Sequence, residues 1–384
     1  MADAPQSGSP ALSRGKPWGL LGGAQAALLL LAFYRGFRAP NLWSLNYYQV
    51  SWADGFLRRG LLGSLLRPLA CARFDPQFIW TIQFAVLACA IASLLWLGRR
   101  GTAGLCLCLY LATDAGTFLF HEVGYPEQLI LPLTLLACRL LVRRRALAAG
   151  LILALAALVH EMAVFTALPV LLVLWWRMPE PRRPSLWFLT APLFLVLVVL
   201  VLGSTPLADA TLQRYADSAA ACGHPLGRPN FLGYYQETFA QEFRLYYHAS
   251  ELLGVVLPLL ATLGLWILSG AALPGAEMKE RWALLLACVC PLLLGFIGTD
   301  VNRWVFLALT QVLVLLGTAD LAGAPARRGP STARRLLLAL PLLAVVLFTH
   351  IRLFDGFVPR SVDLDGVLGF GSTVVEQLSV LPKQ

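Results

Sequence analysis

The chain has 384 residues, of which 58% are apolar and only 13% are charged. A soluble globular protein carries about a quarter charged residues, so this composition excludes a soluble multidomain enzyme, a secreted disulfide scaffold and a disordered chain. The net charge of +9 does not imply a nucleic-acid partner, because bilayer topology and anionic membrane lipids account for basic residues first. The composition therefore predicts a polytopic membrane protein with an all-α fold.

Apolar runs recur along the chain with hardly a charge inside them. Each has roughly 15 to 20 residues, about the length that crosses a hydrocarbon core some 30 Å thick. The first run is interpreted as an uncleaved span, because the residues that follow it offer no small-x-small cleavage site. We predict eleven spans, at residues 18–33, 78–97, 103–120, 126–142, 146–159, 162–176, 186–203, 252–270, 283–298, 304–321 and 336–349.

Basic residues are distributed unevenly between the predicted loops. Alternate short loops and the N-terminal arm hold clusters of Lys and Arg, whereas most acidic residues and all five histidines lie on the other side. The positive-inside rule makes the basic side the cytoplasm. A single helix over residues 146–176 would scatter the basic clusters over both sides. The charge pattern therefore favours two short helices that meet at His160 and Glu161.

This topology divides the chain into a disordered cytoplasmic arm at residues 1–17, one transmembrane domain at residues 18–350 and an outer C-terminal tail at residues 351–384. Two outer segments are long, at residues 34–77 and 204–251. The cytoplasmic loops are short and contain no G-x-x-x-x-G-K-[ST] phosphate-binding loop, so chemistry is expected on the outer face. Two cysteines, at positions 71 and 222, face that side, and whether they pair stays open.

The first outer segment carries an acidic residue and an arginine pair. After Asp54, the apolar residues at 56, 57, 61, 62, 65 and 66 leave Arg58 and Arg59 on a polar face. This pattern predicts an amphipathic helix that lies in the membrane interface. Asp54 either caps the N-terminus of this helix or acts as a catalytic carboxylate beside a phosphate that the two arginines bind.

Two predicted outer turns contain a His-Glu pair. His121 and Glu122 precede Glu127 between the third and fourth spans, and His160 and Glu161 join the fifth and sixth. Ionisable groups at membrane depth are costly unless they line a cavity or find partners. We therefore expect one outward-facing pocket, the alternative being a network that caps the helix ends. No H-x-x-x-H or H-E-x-x-H spacing occurs, so no metal ligands are assigned.

Asp300 and Arg303 lie three residues apart in the turn before the tenth span. They either pair locally or place the Arg303 guanidinium on a substrate phosphate. Cofactors stay unknown, and a divalent metal has no clear site.

These features resemble the GT-C class of integral-membrane glycosyltransferases. The shared features are eleven or more spans, a long first outer segment with an interfacial helix and an acidic residue, and a long outer segment between the seventh and eighth spans. The resemblance implies an enzyme that takes a sugar from a polyprenyl-phosphate carrier at the outer face, with Asp54 as catalytic base. The D-G-F-x-R-R-G-L-L-G stretch with later His-Glu turns also resembles bacterial membrane proteins from polysaccharide gene clusters, which implies a bacterial inner membrane.

The expected reaction is deprotonation of a glycan or lipid acceptor hydroxyl by Asp54, with Glu127 and Glu161 as the other catalytic candidates. The candidate substrate-binding residues are Arg58, Arg59, His121, Glu122, His160, Asp300 and Arg303. A Wzy- or EpsG-like polysaccharide polymerase is the alternative that shares the lipid-phosphate donor. A lipid-linked saccharide transporter is disfavoured because no span is predicted to be broken at its centre. A non-catalytic assembly component is the remaining alternative.

Overall fold

A computed structural model of the chain describes residues 19–54, 59–99, 101–203, 209–224, 248–273, 275–296, 298, 300–322, 332–348 and 358–380. Within these ranges the protein consists of α-helices with shorter 3-10 and π-helical turns, and no strand occurs. This confirms the all-α prediction. The predicted disordered arm at residues 1–17 lies outside the described ranges.

Eight helices are described in the first part of the chain. They are α1 Leu20–Gly36, α2 Leu42–Gln49, α3 Leu61–Leu66, α4 Pro76–Leu97, α5 Gly101–Ala112, α6 Asp114–His121, α7 Pro126–Val142 and α8 Ala146–Val159. Eight more follow among the described residues. They are α9 Ala163–Arg177, α10 Leu186–Gly203, α11 Asp209–Ala221, α12 Ala249–Leu268, α13 Met278–Val289, α14 Val301–Thr318, α15 Thr332–Phe348 and α16 Leu364–Val380.

The helices α8 and α9 form the short hairpin that the charge pattern predicts. The first ends at Val159 because His160 adopts an extended backbone, with φ −163° and ψ 135°. Small residues fill the buried face of α8, which packs between α7 and α10. Small side chains allow helices to approach closely where the hydrophobic effect contributes little.

Two described helices, α4 and α12, are long and apolar enough to cross a membrane by length and composition. The helices α5 and α6 pass the same test together, but they are bent by 72°. The other apolar helices are shorter, and a 15-residue helix is only about 22 Å long at 1.5 Å per residue. The prediction of eleven spans is therefore not confirmed, since the described residues contain two clear spans, or three with the bent pair.

The predicted span at residues 103–120 is broken at Thr113. This residue has an extended backbone, with φ −103° and ψ 178°, and α6 begins at the next residue, Asp114. Gln25 of α1 donates to the Gly104 carbonyl in α5 at 3.3 Å, whereas the Phe120 carbonyl in α6 accepts a backbone hydrogen bond from the segment after α1. The bent pair therefore runs along α1 from one end to the other. The expectation that no span is broken at its centre is wrong.

The predicted interfacial helix is shorter than expected. Residues 55–58 lie outside the described ranges, and Arg59 has a left-handed backbone, with φ 64°, which no α-helix accommodates. Helix α3 therefore begins only at Leu61 and is followed by a 3-10 turn, Arg67–Phe74. Gly63 brings α3 against the end of α2, where a Cβ would lie 2.0 Å from the Val50 carbonyl oxygen.

The two long predicted outer segments are joined covalently and by hydrogen bonding. Cys71 of the first segment forms a disulfide with Cys222, just after α11. Tyr215 of α11 donates a hydrogen bond to Gln49 of α2 at 3.3 Å, and its ring packs edge-on against Phe74. The question of pairing that the sequence leaves open is thus answered, and α11 lies at the same end of the bundle as the first outer segment.

The C-terminal helix α16 lies at this end too. Its Phe370 packs edge-on against the Tyr34 ring near the end of α1. The Arg360 guanidinium ahead of it donates to the Phe37 carbonyl at 2.8 Å, and Gln377 accepts a hydrogen bond from the Ala39 backbone at 3.2 Å. The last helix and the end of the first helix therefore belong to the same face of the protein.

Candidate functional site

Most of the charged residues singled out from the sequence meet at the end of the bundle where the two segments predicted to be outer come together. We call this group, with two tyrosines that connect it, the polar cluster. It consists of Arg38, Tyr47, Arg59, His121, Glu122, Tyr125, Glu127, His160, Glu161, Asp300 and Arg303. Its ion pairs connect segments that are distant in sequence, which distinguishes it from a set of local helix caps.

The first ion pair joins the first outer segment to the turn between α8 and α9. Arg59 Nε lies 3.0 Å from both carboxylate oxygens of Glu161, and Arg59 Nη2 donates to Glu161 Oε1 as well. Arg59 lies two residues before α3 and has a left-handed backbone. A guanidinium fork on a carboxylate is among the stronger charged contacts in proteins, so it fixes the first outer segment on the hairpin.

His160 lies beside this pair. Its Nδ1 accepts a hydrogen bond from the Met162 backbone N–H at 3.2 Å, and Glu161 Oε2 lies 3.3 Å from the same Nδ1. The imidazole is buried, so these contacts orient the ring inside the protein.

The second ion pair is deeper in the protein. Arg303, at the start of α14, is 4% exposed, and its Nε and Nη2 donate to the two oxygens of Glu127 at 2.8 and 2.5 Å. Asp300 Oδ2 lies 3.5 Å from Arg303 Nη1, so the local pair expected from the sequence exists but is the looser contact. The guanidinium also lies 4.7 Å from the centre of the Tyr125 ring, a favourable cation–π distance.

Two tyrosines connect these two ion pairs. The Tyr47 ring centre is 5.8 Å from that of His160 and 5.9 Å from that of Tyr125. The Tyr125 hydroxyl accepts a hydrogen bond from the Asn41 side chain at 3.2 Å. Tyr47, Tyr125 and Asn41 were not among the predicted site residues. The available signal for Tyr125 was its place between a His-Glu pair and Glu127, but Tyr47 lies on α2, which carries no charge, and Asn41 is the N-cap of that helix.

The third set of charged contacts in the polar cluster surrounds a buried carboxyl group. Glu122 is 1% exposed, and its Oε1 lies 3.9 Å from Arg38 Nη2 and 3.8 Å from His121 Nε2. No described residue donates a hydrogen bond to either carboxylate oxygen. Burial raises the pKa of Glu122 to about 8, although Arg303 and Arg38 act to lower it. Glu122 therefore lies inside the protein. Arg38 was not among the predicted site residues.

Two predicted site residues are not located by the structure. Arg58 lies outside the described residues, and so does the side chain of Asp54, whose backbone ends a 3-10 turn, Trp52–Asp54. Arg59 is the nearest described charge after them. Within the described ranges, no group of three or more His, Cys, Asp or Glu side chains could hold a metal ion.

The paired carboxylates and guanidiniums define what the cluster can do chemically. A phosphate competes for the same N–H groups that Arg59 and Arg303 direct at carboxylates, because both anions accept bidentate hydrogen bonds. A phosphate bound to either arginine would leave Glu161 or Glu127 with fewer hydrogen-bond donors. No protein-family model, curated protein or solved structure matches the chain.

The buried Arg303–Glu127 pair generates a prediction about stability. In Glu127→Gln the guanidinium stays buried without its counter-charge, and breaking such a pair costs about 3 to 5 kcal/mol. A matched control is Lys279→Gln, which breaks the exposed Lys279–Glu277 contact of 3.1 Å, an interaction of about 0 to 1 kcal/mol. Thermal unfolding in detergent should give a clearly lower Tm for the first variant only. Equal Tm values would contradict the organising role of the pair.

Proposed function

We propose that the protein is an integral-membrane glycosyltransferase that uses a polyprenyl-phosphate-linked sugar at the outer face of a bacterial inner membrane. The observation that carries this proposal is the pair of guanidinium–carboxylate contacts, Arg59 with Glu161 and Arg303 with Glu127, at one end of an apolar helical bundle. A phosphate leaving group needs fixed cations, and an acceptor hydroxyl needs a carboxylate. The polar cluster holds both kinds of group side by side.

The proposal extends the clear spans to eleven by counting the shorter apolar helices as spans. The position of α16 fits an odd number of spans, of which eleven is one. The chain enters the bundle at the start of α1, and the C-terminal helix packs at the other end of α1, through Phe370 and Gln377. A chain that finishes opposite its starting end has crossed an odd number of times. The disulfide between Cys71 and Cys222 also fits an oxidising outer side.

The proposed reaction is a single displacement. A carboxylate takes the proton of the acceptor hydroxyl, the acceptor oxygen forms a bond to the anomeric carbon, and the bond from that carbon to the phosphate oxygen breaks. Its electron pair leaves with the polyprenyl phosphate, which Arg59 or Arg303 stabilises. Asp54 is the first candidate for the base, because Glu127 and Glu161 are engaged by guanidiniums before the donor binds.

The broken α5–α6 span favours a second candidate, a transporter of lipid-linked saccharides. Discontinuous helices near the middle of the membrane are typical of transporters, where they form substrate and ion sites. The break at Thr113 lies beside Asp114, which pairs with Arg35 at 3.2 Å. This candidate uses the same arginines for the donor phosphate but requires no catalytic base, so the two functions differ in whether the saccharide changes covalently.

Mass spectrometry of lipid-linked saccharides and surface glycans, from cells with and without the gene, tests the proposal. A glycosyltransferase predicts accumulation of the unused donor lipid and loss of one sugar from the mature glycan. A polymerase predicts intact repeat units and missing long chains. A transporter predicts unchanged structures with a different distribution between the membrane leaflets. Identical saccharides and identical distributions in both strains would contradict the proposed function.

The role of Asp54 is tested by Asp54→Asn. The amide keeps the size of the side chain but lacks a basic oxygen, so turnover should fall below detection while Tm and donor-lipid binding stay unchanged. If Asp54 only caps a helix, Asn replaces it well, because the two are comparable caps. Asp75→Asn is the matched control, since Asp75 caps α4 by accepting a hydrogen bond from the Gln77 backbone at 2.9 Å. Near-normal turnover in Asp54→Asn would assign the base to Glu161 or Glu127.

The proposed topology is tested by reporter fusions. Fusions after Val142 and Trp176 should report the cytoplasm, and a fusion after Gly203 should report the periplasm, because the basic loops mark the cytoplasmic side. An outer reporter signal at Trp176 would mean that α8 and α9 cross as one unit, and every later segment would then lie on the opposite side.

A further inference from the structure

A small cavity lies between α4, α5, α6, α7 and α14, behind the polar cluster. Its volume is about 50 Å³, and one water molecule needs roughly 10 to 15 Å³ by the same measure. Most of its wall is apolar. Its polar lining consists of Tyr110, Glu122, Glu127, Gln128 and Thr310.

The polar side chains that line this cavity have hydrogen-bond partners, with one exception. Tyr110 and Thr310 share a hydrogen bond of 3.2 Å, Gln128 donates to the Leu119 carbonyl at 2.8 Å, and Glu127 is bound by Arg303. Glu122 receives no hydrogen bond from the described residues on either oxygen. An unpartnered, buried carboxyl group facing a cavity calls for a specific explanation.

The charges around the carboxyl group decide which ligand it can bind. Arg38 and His121 approach one oxygen to 3.9 and 3.8 Å, so a metal cation would enter beside a guanidinium and lack a second free carboxylate. An anion would meet Glu122 itself and the neighbouring Glu127. A proton avoids both conflicts, because it neutralises the buried group without adding a charge.

We propose that Glu122 is a proton-binding site with two states, a neutral carboxyl group beside the cavity and a carboxylate that closes on Arg38. In the first state Arg38 stays at its present distance. In the second, the proton passes to water, and Arg38 Nη2 moves in by about 1 Å to donate a charge-assisted hydrogen bond at about 2.8 Å. This proposal does not depend on the glycosyltransferase function, since it concerns the titration of a buried carboxyl group.

Several groups from the surrounding elements face Glu122 and set its titration. They are Arg38 after α1, Tyr110 of α5, His121 of α6, Tyr125 and Glu127 at the start of α7, and Asp300 and Arg303 at the start of α14. Burial raises the pKa of Glu122 to about 8 in the presence of all these charges. The folded protein therefore binds one more proton than the unfolded chain between the ordinary glutamate pKa and this value, and stability contributed by the site falls as pH rises through that window.

The consequence for the molecule lies in the first outer segment. Arg38 stands two residues after α1 and three before Asn41, whose side chain binds the Tyr125 hydroxyl in the polar cluster. When Glu122 loses its proton and Arg38 moves toward it, the backbone between Arg38 and Asn41 moves as well. The protonation state of Glu122 is thereby coupled to the position of the cluster's aromatic residues.

Infrared difference spectroscopy of the full-length protein in lipid nanodiscs, between about pH 6 and about pH 9.5, reads the carbonyl stretch of a buried protonated carboxyl group directly. The wild type should lose such a band with a midpoint of about 8. The band should be absent in Glu122→Gln and retained in Glu376→Gln, a control on the exposed face of α16. A band that persists in Glu122→Gln, or none in the wild type, would overturn the proposal.

A second pair of variants tests whether Arg38 is the residue that closes on Glu122, and it does so even if Glu122→Gln fails to fold. Arg38→Gln removes a nearby positive charge that lowers the pKa of Glu122, so the midpoint of the band should rise. Arg35→Gln is the control, because Arg35 pairs with Asp114 and should leave the midpoint in place. An unchanged midpoint in Arg38→Gln would refute the closing of Arg38 on the carboxylate.

Discussion

The cost of an unpaired charge away from water organises one end of this protein. A guanidinium that is 4% exposed, as in Arg303, is stable only with a counter-charge and filled hydrogen bonds. The chain supplies these from Glu127, 176 residues earlier. Because α14 and α7 must both reach this contact, the pair sets how their ends meet. Arg59 and Glu161 do the same for the first outer segment and the α8–α9 hairpin, and the polar cluster follows from the two constraints together.

The same constraint overrides local helix-forming preference. The apolar pattern around residues 56–66 suits a continuous interfacial helix, yet Arg59 leaves the helical conformation and turns its side chain to Glu161. A left-handed backbone costs a non-glycine residue roughly 1 to 2 kcal/mol, less than the cost of leaving Glu161 uncompensated inside the bundle. The helix therefore shortens to Leu61–Leu66. The left-handed Arg59, its ion pair and the late start of α3 occur together at this point of the chain.

Sequence patterns predicted the local features and missed the distant contacts. Periodicity and loop charge predicted the bounds of α7, α8 and α10, because apolar runs end where charge or proline interrupts them. The break at Thr113 was missed although Thr followed by Asp is a helix-start signal; the surrounding apolar run concealed it. The two His-Glu turns drew attention to the carboxylates Glu161 and Glu127. The arginine that binds Glu161 is 102 residues away in sequence, and no spacing rule predicts such a contact. Tyr47 and Arg38 carried no signal for the same reason.

The carboxyl groups of the polar cluster have two kinds of electrostatic environment, and the environment determines the chemistry open to each group. Glu127 and Glu161 are held by guanidiniums, so an incoming anion must compete with each carboxylate for its arginine. Glu122 lies within 4 Å of the Arg38 guanidinium and the His121 imidazole but is hydrogen-bonded to neither among the described residues, so burial favours its neutral form. Neighbouring carboxyl groups with opposed environments are the arrangement by which one site keeps a proton and a base apart. Here a guanidinium partner distinguishes Glu127 and Glu161 from Glu122, whose burial raises its pKa and favours the protonated form.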